Sequence, residues 1–227
     1  MSGVAASRVA AIIPAAGLGV RFGAQQPKAF FELAGLSLLT RSALVLATQA
    51  EVIVVAVPAE YVAIAAQELD SVDSEIHIVI GGATRQDSVA AAMAVVPEDI
   101  DFVLVHDAAR PLVPGAVIAD VIQELVDGSQ AVIPVLPVVD TIKRVDNNGD
   151  VVETVDRNSL RRVQTPQGFT KALLTEAFAD PTHVATDEAG LVERLGVPIR
   201  TVAGSERAFK ITTPDDVAFA LSLLGEA

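Results

Sequence analysis

A single α/β domain, built on a mostly parallel twisted sheet with helices on both faces, is the fold this 227-residue sequence predicts. Three observations carry that expectation. Short β-branched runs alternate with helical patterns through the first two-thirds of the chain, and hydrophobic residues make up 51% of it. No linker, internal repeat or low-complexity tract interrupts the pattern, and the length suffices for one sizeable core.

Buried strands are expected over 9–13, 52–57, 76–80, 102–106 and 131–135. Amphipathic helices are expected between them, over about 38–48, 59–69, 87–95 and 115–127, because apolar positions recur three and four apart. From about 136 to 162 the pattern changes. Two alternating runs, 138–145 and 151–155, flank Asp146-Asn147-Asn148-Gly149-Asp150, and Asn-Gly between such runs signals a β-hairpin. A protruding arm of that size cannot bury its own apolar positions, so it is expected to pack on another surface, such as a second subunit. Beyond it, Thr170 can cap a helix over 171–180, a shorter helix covers 187–195, and strands are expected over 199–202 and 208–211. The last helix opens with Thr213-Pro214-Asp215-Asp216: a capping hydroxyl, a first-turn proline and two acids at the positive helix end.

Composition removes several functional classes. No apolar run reaches the ~18–20 residues that span a bilayer, and the N-terminus does not read as a secretory signal, so a cytoplasmic protein without a membrane partner is expected. Cysteine is absent, and His77, His106 and His183 lack ligand spacing, which argues against zinc. A formal net charge of -13 disfavours nucleic acid. Small anionic substrates stay open if cations gather locally, with Arg21, Lys28, Arg85, Arg110, Lys143, Arg144, Arg157, Arg161, Arg162 and Lys210 as the candidates.

The segment from Ile12 to Lys28 is the most informative. It joins a strand to the glycine-rich turn Pro14-Ala15-Ala16-Gly17-Leu18-Gly19, then places Arg21 and Lys28 beyond it. Such a turn brings backbone N–H groups close to an anion, and the two cations suit a polyphosphate. A Walker A loop is excluded because Ala24 and Gln25 follow Gly23, and a dinucleotide fingerprint fails because Phe22 holds the third glycine position. A strand-to-helix turn without ligand is the bland alternative, and the pair of cations argues against it.

Two further segments follow strands, where open α/β sheets bind ligands. In Gly81-Gly82-Ala83-Thr84-Arg85-Gln86-Asp87-Ser88, backbone groups and the Ser88 hydroxyl can read a nucleobase edge, while Thr84 or Asp87 can equally cap a helix. In Val105-His106-Asp107-Ala108-Ala109-Arg110, Asp107 can hold a divalent cation, bind a ribose hydroxyl, or cap its turn. His106 reads as support for the strand end. Arg157 can clamp a phosphate or pair with Glu153 or Asp156, and Lys210 either enters a cleft or snorkels to the surface. Thr186-Asp187-Glu188 reads as a helix start.

Taken together, PAAGLGVRFGAQQPK, GGATRQDSV, VHDAARP, DTIKR, TVDRNSL, QTPQGF, TDEA and FKITTPDD make the chain resemble the 2-C-methyl-D-erythritol 4-phosphate cytidylyltransferases of the non-mevalonate isoprenoid pathway, over almost its whole length. The resemblance implies a Rossmann-like three-layer nucleotidyltransferase fold and transfer of CMP from CTP to methylerythritol phosphate, with Mg2+ or another divalent cation. It implies that Arg21 and Lys28 stabilise the nucleotide phosphates and that Arg157 and Lys210 position the second substrate. Pro14, Ala15, Ala16, Gly17 and Gly19 would face CTP; Gly82, Ala83, Ser88 and Ala108 would contact cytidine; Asp107 would sit near ribose and metal. Arg110, Thr141 and Thr186 match further contacts to methylerythritol phosphate. The family's homodimers imply that the arm at about 136–162 completes a neighbour's site, so Thr141 and Arg157 would act across the interface.

Ala29 departs from the glutamine that many members carry after the lysine, and the chain's end at Ala227 leads to the expectation of no fused cyclase. The nearest rival is a ribitol-5-phosphate cytidylyltransferase. A non-catalytic nucleotide-sensing module would be expected to lack part of the set Arg21, Lys28, Asp107, Arg157 and Lys210, all of which are present. An NAD-dependent oxidoreductase fails on its fingerprint.

Overall fold

The strand runs that are apolar at every position lie at the centre of the molecule and are buried on both faces. The structure is a computed structural model and describes residues 7–17, 26–180 and 182–225. In chain order its strands are β1 (Val9–Pro14), β2 (Glu32–Leu33), β3 (Leu36–Ser37), β4 (Val52–Val57), β5 (Glu75–Ile80), β6 (Phe102–Val105), β7 (Ala131–Pro137), β8 (Ile142–Val145), β9 (Val151–Val155), β10 (Arg161–Val163), β11 (Gln167–Thr170) and β12 (Arg200–Ala203). The helices are α1 (Leu38–Leu46), α2 (Val62–Leu69), α3 (Arg85–Met93), α4 (Gly115–Val126), α5 (Lys171–Phe178), α6 (Glu188–Glu193) and α7 (Pro214–Leu224).

Period-two geometry explains why β1 and β4 are apolar throughout. Val9, Ala11 and Ile13 of β1, with Ile53, Val55 and Val57 of β4, face a core completed by Leu39 and Leu46 of α1, Leu69 of α2 and Ile118 of α4. The alternate residues Ala10, Ile12, Val52 and Val54 face a second core with Val89 of α3, Leu173 and Leu174 of α5, and Leu191 of α6. Helices on both faces of one sheet make three layers. Helix α7 closes a smaller cluster with Leu33, Leu38 and Ile211.

The main sheet runs β10-β7-β11-β6-β1-β4-β5, with β12 also paired to β7. β1 pairs in parallel with β4 and β6, β4 with β5, and β12 with β7. The expectation of a mostly parallel sheet therefore holds, with one addition. β11 lies antiparallel between β6 and β7, and β10 is antiparallel to β7. Gly168 is the reason β11 fits there: a Cβ at this position would lie 2.5 Å from Val121 Cγ1 of α4, so the helix packs directly on the strand backbone.

The strand expected over 208–211 is corrected. A 3-10 turn covers Glu206–Ala208, and Ile211 gives its N–H to the Ala109 carbonyl (2.8 Å) as an isolated tie rather than as part of a ladder. The hairpin is present as a separate two-stranded sheet of β8 and β9, although its first strand begins at Ile142 and not at 138. Val139, Val145, Val151 and Val152 on and beside it are exposed. The segment predicted as one helix over 59–69 begins instead as a 3-10 turn at Ala59–Tyr61. No helix of the described residues is long and apolar enough to cross a membrane.

Candidate active site

Because β1, β4, β5 and β6 are mutually parallel, their C-terminal ends lie on one edge, and the loops after β1, β5 and β6 meet there. Small residues let them meet. A Cβ on Gly81 would sit 2.5 Å from the Ala16 Cβ, and one on Gly82 would sit 2.2 Å from the Asp87 Cβ. Thr84 and Asp87 form a reciprocal capping box at the start of α3, so both capping expectations for this segment hold. Ser88 Oγ accepts from the Gly82 N–H (3.2 Å) and donates to the Thr84 carbonyl (2.9 Å), which fixes the glycine loop.

The three loops enclose a crevice of about 460 Å3. Pro14, Ala15, Ala16, Gly17, Lys28, Gly82, Ala83, Ser88, Asp107, Ala108 and Lys210 all line it, joined by Arg85 and Thr212. Of the sequence candidates, Gly19 and Arg21 lie outside the described residues. Arg110, Thr141, Arg157 and Thr186 are not in the crevice wall. Arg110 stands behind it, giving its guanidinium to the Ala208 carbonyl (2.7 Å). Arg157 lies at the base of the arm and donates to the Val139 carbonyl; of the two carboxylates considered for it, Glu153 pairs with Arg144 and Asp156 accepts from the Asn158 N–H instead. Thr186 precedes α6, whose cap is Asp187, accepting from the Gly190 N–H (3.0 Å).

Asp107 is the electrostatic centre, with its side chain 12% exposed. Lys210 Nζ is 3.0 Å from Oδ2, Arg85 Nε donates to Oδ1 at 3.2 Å, and Arg110 Nε stands 3.7 Å from Oδ2. Burial alone would raise its pKa, but Arg85, Lys210 and Arg110 hold it well below the ordinary carboxylate range. Lys28 donates to the carbonyl of Ile211, next to Lys210. Two lysines distant in sequence thus meet across one opening, within a chain of strongly negative net charge.

A directed hydrogen-bond chain fixes the Asp107 turn. His106 is fully buried, and its Nε2 faces the Arg110 carbonyl (3.3 Å), an acceptor, so Nε2 carries the proton. Nδ1 is then an acceptor for the Thr165 hydroxyl (3.0 Å), whose oxygen takes the Asp107 N–H (3.0 Å). Burial lowers the His106 pKa to about 4, against 6.5 unperturbed. The unfolded chain therefore binds a proton as pH falls through 6.5 while the folded chain does not, and stability is lost from there down to about pH 4. Thermal midpoints of the wild type should fall between pH 7 and pH 4.5 more steeply than those of His106→Asn. Equal slopes would contradict the buried neutral imidazole.

Arg85 and Glu188 carry signals the sequence did not display. Arg85 Nη1 donates to Glu188 Oε1 at 2.7 Å, across 103 positions, and Glu188 is 1% exposed. Burial pushes the Glu188 carboxyl up, with Arg85 pulling it back. Only their residue types, an arginine and an acid each opening a helix beside a motif, hinted at the pair.

The sequence model of the IspD family, 2-C-methyl-D-erythritol 4-phosphate cytidylyltransferase, matches residues 9–226. The chain belongs to this family. It is 51% identical over 220 residues to the 2-C-methyl-D-erythritol 4-phosphate cytidylyltransferase of Rhodococcus jostii, covering 96% of each chain. The protein of that name from Saccharopolyspora erythraea is 51% identical over 222 residues, with 95% of this chain and 99% of the relative covered. Among solved structures, that of the Thermus thermophilus cytidylyltransferase superposes with a TM-score of 0.80 at 38% identity, covering 95% of this chain and 98% of the other. The 4-diphosphocytidyl-2C-methyl-D-erythritol synthase of Anaerococcus prevotii gives 0.84 at 26% identity, covering 96% and 99%.

For a cytidylyltransferase of this family, a divalent cation is the implied cofactor. Among the described residues no group of three His, Cys, Asp or Glu could ligate one by itself. Asp107, a single ionised carboxylate in the crevice wall, fits a cation held chiefly by nucleotide phosphates, as Mg2+ commonly is. One of its cationic neighbours must then yield an oxygen.

Proposed function

We infer that this chain transfers the cytidylyl group of CTP to 2-C-methyl-D-erythritol 4-phosphate, giving 4-diphosphocytidyl-2-C-methyl-D-erythritol and pyrophosphate. A phosphate oxygen of the polyol attacks the α-phosphorus of CTP, and the bond to the pyrophosphate oxygen breaks. The observation that carries the reading is the meeting of Lys28, Lys210 and Asp107 in one crevice of a chain from this family. The attacking phosphate is already ionised near neutral pH, so no general base is needed. What the protein must supply is alignment and relief of repulsion between two polyanions.

In this reading the backbone of Pro14 to Gly17, with Gly19, Arg21 and Lys28, faces the triphosphate. Gly82, Ala83 and Ser88 hold the cytosine, and Asp107 and Ala108 face the ribose. Lys210 leaves Asp107 for the incoming phosphate, with Arg110 and Thr186 assisting. A divalent cation, when bound, screens the phosphate charge, and Asp107 is the residue that would hold it. The chain acts as one nucleotidyltransferase domain with a dimerisation arm at about 136–162. Exposed Val139, Val145, Val151 and Val152 give the arm an apolar surface to bury, and the arm carries Thr141 and Arg157 towards a partner's crevice.

A substrate panel tests the function. With CTP and Mg2+, pyrophosphate release is expected with methylerythritol phosphate and at background level with ribitol 5-phosphate or no acceptor. Preference for the ribitol ester, or no release with any acceptor, would refute the assignment.

A further inference from the structure

We propose that Glu188 is a positioning residue of the nucleotide site: by holding Arg85, it limits the grip of that guanidinium on Asp107 and keeps the Asp107 carboxylate available to a divalent cation. The inference rests on the reading of Asp107 as the residue that faces metal and ribose.

The geometry is a competition between two carboxylates for one cation. Arg85 opens α3 and reaches both the end of β6 and the first turn of α6. Its bond to Glu188 Oε1 (2.7 Å) is shorter than its bond to Asp107 Oδ1 (3.2 Å). Charge-assisted bonds near 2.7 Å are the strong ones, so the guanidinium is divided unequally in favour of Glu188. Asp107 also meets Lys210 and, at longer range, Arg110. Of these cations, the lysine is the most exposed, and Arg85 and Arg110 are both more enclosed.

Helix capping does not account for Glu188. The start of α6 is already capped by Asp187. The carboxylate is buried, and its Oε2 has no hydrogen-bond partner among the described residues. A glutamine would occupy nearly the same volume and still accept from Arg85 through Oε1. What a glutamate adds is its negative charge, and the cation it meets is Arg85. Without that charge, Arg85 would settle onto Asp107 and compete directly with a divalent cation.

The test is Glu188→Gln, read by calorimetric binding of CTP in the full-length protein, with no second substrate and therefore no turnover. The Mg2+ concentration giving half-maximal CTP affinity should rise about tenfold, the low end of what disturbing an outer partner of a metal ligand costs. CTP binding in EDTA should not weaken, because the crevice has gained positive charge. In an Arg85→Gln background, adding Glu188→Gln should leave the Mg2+ midpoint unchanged, since the effect runs through Arg85. An unchanged midpoint in the single variant would overturn the proposal. So would equal weakening with and without Mg2+, the mark of a purely structural role, or a shift that persists without Arg85. Should Glu188→Gln not fold, the Arg85→Gln and double variants carry the comparison, with equal midpoints supporting the proposal and unequal ones refuting it. Wild-type protein that binds no CTP would instead overturn the functional reading, and this inference with it.

Discussion

Lys28→Ala should lower the turnover number by about 100-fold or more, the scale of losing one donor aimed at developing phosphate charge, with a smaller change in the KM for CTP. Lys28 lines the crevice on a short 3-10 turn, Lys28–Phe30, whose Ala29 and Phe30 are buried. That turn is anchored by its neighbours, so the ammonium can leave the Ile211 carbonyl for a phosphate oxygen without unseating the backbone. The truncation should shift the thermal midpoint little, because the lysine is only half-buried and the carbonyl it leaves can be hydrated. Steady-state kinetics with CTP and the polyol phosphate, alongside a melting curve, make the check. A folded variant with wild-type turnover would remove Lys28 from the mechanism.

Asp107→Asn should damage both stability and activity. Arg85, Arg110 and Lys210 converge on this carboxylate, and the Arg110 Nε has no hydrogen-bond partner among the described residues. Asparagine would leave Arg85 its pairing with Glu188, and would leave Arg110 and Lys210 without a carboxylate partner among the described residues. Breaking a buried charge cluster by removing one partner costs about 3 kcal/mol or more. In a domain of this size each kcal/mol moves the thermal midpoint by about 2–4 °C, so a fall of roughly 10 °C is expected. Differential scanning calorimetry at neutral pH, with CTP turnover measured at a temperature where the variant is folded, separates the two effects. A wild-type midpoint would show that the cluster holds nothing together.

Much of this fold was legible because its central strands are buried on both sides. Residues 9–13 and 52–57 are apolar at every position for one reason: odd and even residues face different cores, each covered by helices. The antiparallel inset was not legible. β11 offers only Phe169 as an apolar anchor, and its defining feature is the absence of a side chain at Gly168. β10 reads Arg-Arg-Val, with no buried face to produce alternation. The extended 208–211 segment looked like a strand because Ala208 and Ile211 are buried, yet they are held by single ties to the Asp107 turn and the last helix.

For the site, glycine and small-residue loops after β1, β5 and β6 announced themselves by type and position, since backbone approach needs those residues wherever it occurs. Pairings across the fold did not. Nothing local to Glu188 tells that it is buried against an arginine on another helix, because an acid in the first turn of a helix has a sufficient local explanation. The hydrogen bonds from the Thr165 hydroxyl to His106 and from the Asp107 N–H to Thr165 likewise depend on where β11 enters the sheet, which the strand pattern left out.

A crystal structure of the protein with CTP and Mg2+ would show whether the nucleotide phosphates draw Lys28 and Lys210 to themselves. The triphosphate is expected against the Ala15–Gly17 backbone, Lys28 Nζ moved from the Ile211 carbonyl to within about 3 Å of a phosphate oxygen, and the cytosine edge at Gly82 and Ala83. A nucleotide bound elsewhere, or bound in the crevice with Lys28 and Lys210 still on Ile211 and Asp107, would contradict that arrangement.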